Sequence, residues 1–590
     1  MKPLRTLSLL SIALVAWVMP ARAATTPRSR PNIILILTDD QGYGDLGVTG
    51  NPIVQTPHID ALARRSASLS EFYVCPVCSP TRACLMTGRY NYRTAVVDTF
   101  LGRSMMNPAE VTVAQVLQRA GYLTGIFGKW HLGDCYPMRP IDKGFDEALV
   151  LRGGGLAQPA DPIANHRRYT NPVLIHNGQE TATTGYCTDV YFTAAMRFID
   201  RARQAHQPFF IYLPTNAPHR PVDDVPVDLY EKYRQLDLTP VLLGHKENAD
   251  YMARVFAMEE NIDQNVGRLE SKLTADGLSE NTIVIYMADN GPDSYRYVGP
   301  FRGKKTEVFE GGVRTFFFMA WPARLKAGAT SEHLTAHIDV MPTLLEAAGV
   351  PIPRGLKLDG RNFLPLLEGK TAAWPERVIV TQSHRGNVPV RYHNFELRTE
   401  RWKLVHPSGF GRETLPPGVP LELYDIRHDP AEAHDVAPAH PDVVRRLTAA
   451  YDRWFDDVGH SHPDNYAPPR IVAGTARETR TVLTWQDWRP RITTFGWGLL
   501  GQWRLRFAAD GVYDVEFRWP HPVSAGTLFL TVGTQTWPLN LPQATDDAWL
   551  RGVHLSSGDA DLSAVVVHRD GRMEDPYHVI LCARGSLPRR

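Results

Sequence analysis

The chain lacks an excess of either charge: 64 lysines and arginines stand against 63 aspartates and glutamates in 590 residues. That balance excludes a polyelectrolyte and a protein that binds nucleic acid by net electrostatics. Cysteine is scarce, six in all, too few for a disulfide-built scaffold. Long hydrophobic runs are missing too. One membrane-like stretch runs from Leu7 to about Val18, behind Lys2 and Arg5 and ahead of Ala21-Arg22-Ala23, and it is too short to span a bilayer. Its basic start, apolar middle and small-x-small end predict a secretory signal over residues 1–23, and with it a periplasmic or secreted protein. An uncleaved anchor is the competing reading. The length calls for more than one domain, and 45 glycines with 46 prolines predict many loops between short elements.

What is present is a set of short apolar runs that stop at polar residues. Asn32 to Leu37 ends at Thr38-Asp39-Asp40-Gln41-Gly42, and Thr282 to Met287 ends at Ala288-Asp289-Asn290-Gly291. Leu123 to Phe127 runs into Gly128-Lys129-Trp130-His131, and Phe209 to Leu213 runs into Asn216-Ala217-Pro218-His219. Continuous apolar runs of this length predict strands buried on both faces. Helical signals alternate with them, at Thr56 to Ala63, Thr112 to Ala120 and Tyr251 to Leu273. The expected fold is α/β, a mostly parallel sheet between helices over residues 30–370. In such a sheet ligands bind outside the carboxyl ends of the strands, so the four polar endings are expected to converge.

Cys78-Ser79-Pro80-Thr81-Arg82, followed by Ala83-Cys84-Leu85-Met86-Thr87-Gly88-Arg89, places a nucleophile and a guanidinium at the start of an expected helix, an arrangement that favours anions. Cys75 and Cys78 also read as C-x-x-C, a redox pair or half a zinc site, but the thioredoxin-like frame and a second ligand pair are absent. The Cys-x-Pro-x-Arg pattern with its trailing Thr-Gly-Arg resembles the signature of the type I, formylglycine-dependent sulfatases of the alkaline phosphatase superfamily.

Asp39, Asp40, Asp289 and Asn290 offer oxygen ligands alone, which suits a hard divalent cation, calcium ahead of magnesium, and suits zinc poorly. Any single aspartate after a strand is more often a turn former; two strand ends with adjacent acidic or amide groups favour the metal. The resemblance assigns Asp39, Asp40, Cys78, Asp289 and Asn290 to the metal. It assigns Cys78, Arg82, Lys129, His131, His219 and Lys305 to catalysis. Lys305 is selected over Lys304 by its spacing from Glu310-Gly311-Gly312. The resemblance further implies that a formylglycine-generating or sulfatase-maturing enzyme converts Cys78 to an aldehyde. One hydroxyl of its hydrate attacks sulfur, and the second, deprotonated by His131, lets sulfate leave. Arg82, Lys129 and Lys305 are expected on the sulfuryl oxygens, with His219 on the leaving oxygen. Gly153-Gly154-Gly155 lacks both phosphate-loop frames and reads as a flexible loop near the site.

The family pattern continues over residues 371–460 as a smaller antiparallel α+β subdomain, with strands around Leu397 to Leu404 and a helix from about Asp442 to Phe455. Beyond an expected linker at Pro463 to Pro469, seven tryptophans between Trp485 and Trp549 and period-two alternation predict a β-rich module over 470–590, its aromatics mostly core. The expected function is sulfate monoester hydrolysis on a sulfated glycan or aryl sulfate. The rivals are a phosphodiesterase or phosphonate monoester hydrolase on the same scaffold, and a catalytically silent glycan-binding protein.

Overall fold

The computed structural model describes residues 30–370, 374–490 and 500–585. The expected signal at 1–23, and Trp497, lie outside the described residues. The main sheet contains β1 (Asn32–Thr38), β2 (Ala67–Tyr73), β3 (Leu123–Lys129), β4 (Glu147–Leu151), β5 (Val173–His176), β6 (Gln179–Ala182), β7 (Phe209–Pro214), β8 (Thr282–Ala288), β9 (Arg314–Ala320), β10 (Thr330–Ser331) and β11 (Thr335–Ala336). Their order is β10-β2-β9-β8-β1-β7-β3-β4-β5-β6, with β11 also on β2. The central strands β8, β1, β7, β3 and β4 are mutually parallel, while β9 and β5 join them antiparallel on either side.

The consecutive apolar residues of β1 feed two cores. Ile34 and Ile36 pack with Phe256 and Ile262 of the helix Ala249–Ala275 and with Tyr191 and Phe198 of the helix Cys187–Gln204. Ile33, Leu35 and Leu37 face the opposite layer, with Leu85 and Met86 of the helix Cys78–Thr87 and Leu344 of the helix Val340–Ala347. Each fully buried aliphatic side chain contributes about 1.5–3 kcal/mol, so neither face of β1 tolerates a polar residue between Ile33 and Leu37. The three helices expected from sequence in this region form at Pro57–Arg65, Val113–Arg119 and Ala249–Ala275. Thr112 caps the second through a capping box with Gln115.

A four-stranded antiparallel sheet follows, Ile379–Gln382, Phe395–Arg398, Trp402–His406 and Glu422–Asp425. The helix Pro441–Val458 covers it, laying Leu447, Tyr451 and Phe455 on Phe395, Leu397 and Leu404. Lys403 reaches back from this sheet into a buried carboxylate cluster, 2.8 Å from Glu310, 3.2 Å from Glu396 and 3.0 Å from Glu432.

Past residue 470, two mostly antiparallel sheets enclose one core in which Trp488, Trp503 and Trp519 are buried beside Leu505, Phe507, Val515 and Phe517. Trp485, Trp537 and Trp549 are partly buried. The same core takes in Phe100, Leu101, Met105, Cys135 and Met138 from the main α/β region, so the aromatic module is packed on that region. No helix among the described residues is long and apolar enough to cross a membrane.

Candidate active site

The strands β8, β1, β7 and β3 are neighbours, and their carboxyl ends deliver Asp289 and Asn290, Asp39 and Asp40, the turn to His219, and Lys129 with His131. The helix Cys78–Thr87 points its first turn at the same place. Val77 enters it in extended conformation and no side chain caps it, which leaves first-turn N–H groups for an anion. Cys78 Sγ lies 3.4 Å from His131 Nδ1, and Ser79 Oγ donates to the His131 carbonyl at 2.9 Å.

Arg82 is fully buried. Its Nε and Nη2 donate to Asp289 Oδ2 at 3.0 and 2.7 Å, its Nη1 donates to the Lys129 carbonyl at 2.8 Å, and Nη2 also lies 3.8 Å from Asp39 Oδ1. These bonds hold Asp289 and the end of β3 around the guanidinium. Lys129 Nζ is 2.6 Å from Asp39 Oδ2, and Lys305 Nζ is 2.6 Å from Asp40 Oδ1. His219 Nε2 is 3.8 Å from Asp40 Oδ2, Asn290 Nδ2 donates to Asp40 Oδ1 at 2.8 Å, and the Asp40 N–H donates to Asp289 Oδ1 at 3.3 Å. Lys304 instead sits over the Tyr295 ring.

The backbone is bent to make this possible. Asp40 and His131 both have positive φ, 65° and 60°, a conformation that non-glycine residues hold where surrounding packing over-determines it, often at functional sites. Gly128 has φ 139°, and a Cβ there would lie 1.8 Å from the Pro214 carbonyl oxygen. Gly154 and Gly155 serve close approach rather than flexibility alone: a Cβ on Gly154 would fall 2.5 Å from His131 Nε2, and one on Gly155 3.2 Å from His219 Nδ1.

Charge and burial oppose one another here. Burial pushes Asp39 upward, but Lys129, His219 and Arg82 outweigh it and hold the carboxyl below its usual range. Asp289 is pushed up to about 7, first by burial and then by repulsion from Asp39. Burial, reinforced by Lys129 and Arg82, keeps His131 well below the ordinary imidazole value, hence neutral. Burial also lowers His219 and raises the Cys78 thiol.

The cluster fits a hard cation on its own terms. Asp39 Oδ1 and Asn290 Oδ1 are buried without a hydrogen-bond partner, ligand atoms of Asp39, Asp40 and His219 lie within 4.8 Å of one another, and a divalent charge would relieve the Asp39–Asp289 repulsion. The donors are mostly oxygens, the set preferred by magnesium and calcium alike. The C-x-x-C pairing is absent: Cys75 Sγ turns to His337 Nε2 at 3.3 Å and clusters with Cys84, and all six cysteines are free.

Some residues at the site carried little sequence signal, Asn216 only as the start of a polar strand ending. Asn216 is fully buried on the turn before His219, with both amide atoms unpartnered. The Thr99 carbonyl oxygen lies 2.7 Å from His131 Nε2, and Gln158 lies against Gly154. A backbone carbonyl and a lone amide have no periodicity or motif to announce them.

Comparison with known proteins agrees with the geometry. The sulfatase family model matches residues 31–350, and the model of the N-sulphoglucosamine sulphohydrolase C-terminal region matches residues 302–453. The chain is 33% identical over 376 residues to N-acetylgalactosamine-6-sulfatase of Canis lupus familiaris, covering 59% of this chain and 67% of that relative. It is 31% identical over 473 residues to arylsulfatase A of Homo sapiens, covering 71% and 86%. Among solved structures, Ps i-CgsB in complex with k-i-k-neocarrahexaose superposes with a TM-score of 0.63 at 28% identity, over 73% of this chain and 94% of that one. With a family match over more than half its length and a parallel sheet whose strand ends carry an acidic cluster, the chain belongs to the sulfatase family of the alkaline phosphatase superfamily, the sulfuric ester hydrolases.

Proposed function

We propose that this chain is an exported sulfatase that hydrolyses sulfate monoesters, with formylglycine at position 78 and one divalent cation, calcium ahead of magnesium. The observation that carries the reading is Cys78 Sγ, 3.4 Å from the bare side of a neutral imidazole, at the head of a helix whose arginine grips the acidic cluster. That sulfur marks where the oxygen of a formylglycine would stand. Relatives named for N-acetylgalactosamine 6-sulfate and a neighbour holding a neocarrahexaose favour a sulfated glycan, with aryl sulfates as the simpler class.

Asp39, Asp40, Asp289 and Asn290, with the oxygen at position 78, would hold the cation, which supplies Lewis-acid charge stabilisation to sulfuryl oxygens. Formylglycine supplies, as its hydrate, one hydroxyl to attack sulfur and a second whose deprotonation releases sulfate. Lys129 and Lys305 bring two fixed positive charges to the point where charge develops, without reorganisation during the reaction. His131 Nδ1 faces residue 78 and takes its proton. His219 and Lys305 are the more exposed members, 13% and 16%, at the mouth where an alcohol departs; there His219, assisted by Lys305, would protonate or polarise the leaving oxygen. Since Cys78 is only 3% exposed, a maturing enzyme would act on it before the chain folds. The units of this reading are a signal at 1–23, a catalytic domain at 30–370, an antiparallel subdomain at 371–460 and an accessory module at 470–590.

The mass of the tryptic peptide containing position 78 tests the nucleophile. Conversion of thiol to aldehyde makes it lighter; an intact thiol in fully active protein sinks the proposal. Steady-state rates on sulfate and phosphate esters of one alcohol separate this reading from the phosphodiesterase or phosphonate hydrolase, with the sulfate expected to be faster. Turnover of either excludes the silent glycan-binding protein.

A further inference from the structure

Residues 454–590 lie beyond both family matches, yet a turn of this region reaches into the active site. It follows the strand Arg480–Thr484. Gln486 is 1% exposed, and its Nε2 donates to the Thr99 carbonyl at 2.9 Å and to Ser104 Oγ at 2.8 Å. The Gly102 N–H donates back to the Gln486 carbonyl at 2.7 Å. The amide orientation follows from its neighbour, because turning Oε1 toward the Thr99 carbonyl would set two acceptors face to face.

The same Thr99 oxygen lies 2.7 Å from His131 Nε2. A carbonyl oxygen only accepts, so the ring proton sits on Nε2 and Nδ1 stays bare toward position 78. One oxygen thus receives both the imidazole and Gln486. The neighbouring residue braces the glycine loop beside the ring. Asp487 Oδ2 accepts from the Asp134 N–H at 3.4 Å, and Asp134 Oδ1 accepts from the Gly153 N–H at 3.1 Å, one residue before the glycine that abuts His131. Tyr577, from the same module, donates to the Gln158 carbonyl at 2.8 Å.

We propose that Gln486 is a positioning residue for the sulfatase reaction: by fixing the Thr99 carbonyl it holds His131 in the tautomer and orientation that present Nδ1 to the nucleophile. The accessory module is then part of the catalytic apparatus rather than an appended binding domain. The inference rests on the proposed role of His131 as the base.

The test is a double-mutant cycle on the mature full-length protein with para-nitrophenyl sulfate as probe. Gln486→Met keeps the length and volume of the side chain and removes the donor. It is expected to lower kcat about tenfold with KM changed less than about twofold, the scale seen when a partner that orients an active-site histidine is lost. In a His131→Ala background the same substitution should cost nothing more, because its effect is transmitted through the missing ring. An equal loss in both backgrounds would mean general loop support and overturn the inference, as would an unchanged kcat for Gln486→Met where His131→Ala is impaired. Full activity of His131→Ala would instead remove the base itself, and the inference with it. Gln486→Leu runs the same cycle if Gln486→Met does not fold.

Discussion

Arg82 and Asp289 meet through two hydrogen bonds to a single carboxylate oxygen, 3.0 Å from Nε and 2.7 Å from Nη2, with both side chains fully buried. The third arm of the guanidinium donates to the backbone at Lys129. One side chain on the helix that begins at Cys78 thereby ties the ends of β8 and β3 together and fixes how far residue 78 stands from the acidic cluster.

Arg82→Lys keeps the charge and loses the fork. An ammonium cannot span the Asp289 carboxylate and the Lys129 carbonyl at once, so kcat is expected to fall on the order of 10² to 10³, the cost of displacing a preorganised electrostatic group. Steady-state kinetics on an aryl sulfate check it. A lysine variant with native kcat would show that the fork geometry is irrelevant.

Lys403 is the only cation within ion-pair distance of Glu396 and Glu432 among the described residues, and it shares Glu310 with Arg314. Lys403→Met leaves buried carboxylates without their counter-charge, and about 3–5 kcal/mol of stability is expected to go with it. Denaturant melts of variant and parent measure the loss. A difference inside experimental error would mean that the cluster sheds its charge by protonation and that the lysine is dispensable.

Asp161 sits behind the glycine loop, accepting from the Ala157 N–H at 2.9 Å and from Asn165 Nδ2 at 2.7 Å. Burial pushes its carboxyl up to about 7, against the pull of those bonds and of Arg152. The folded protein thus holds a proton that the unfolded chain releases near pH 4. Stability from this group is complete below pH 4 and is lost as pH rises to about 7, at up to about 1.4 kcal/mol per unit. Asp161→Asn removes the titration, so the stability difference between variant and parent should move in the variant's favour from pH 5 to pH 7.5. Calorimetry at the two pH values decides it, and a difference that does not change with pH would refute the assignment.

Much of the site could be read from short stretches. Asp39 and Asp289 follow apolar runs whose strand character needs no distant information, and the cysteine motif at position 78 carries its helix with it. Arg82 was legible as a cation, but its partners, the Asp289 carboxylate and the Lys129 carbonyl, were not, since each comes from a distant strand end. Lys305 was chosen over Lys304 by family spacing, and the physical difference between them, one beside Asp40 and the other over a tyrosine ring, exists only after residues 293–307 have packed on the turn that follows β1. The glycines at 154 and 155 looked like flexibility; they are places where the imidazoles of His131 and His219 press against backbone.

Local order was settled by the amino acids themselves: where strands run and stop, which helix bears Cys78, and which charged residues stand at strand ends. These depend on side-chain period and on burial of neighbouring positions, which act over a few residues. The tautomer of His131, the sharing of Asp289 by Arg82, and the reach of Gln486 into a site whose other parts lie far back in the chain were decided by folding alone. Hydrogen-bond partners are set by distance and angle in three dimensions, and no pattern along a chain encodes which carbonyl a distant amide will meet.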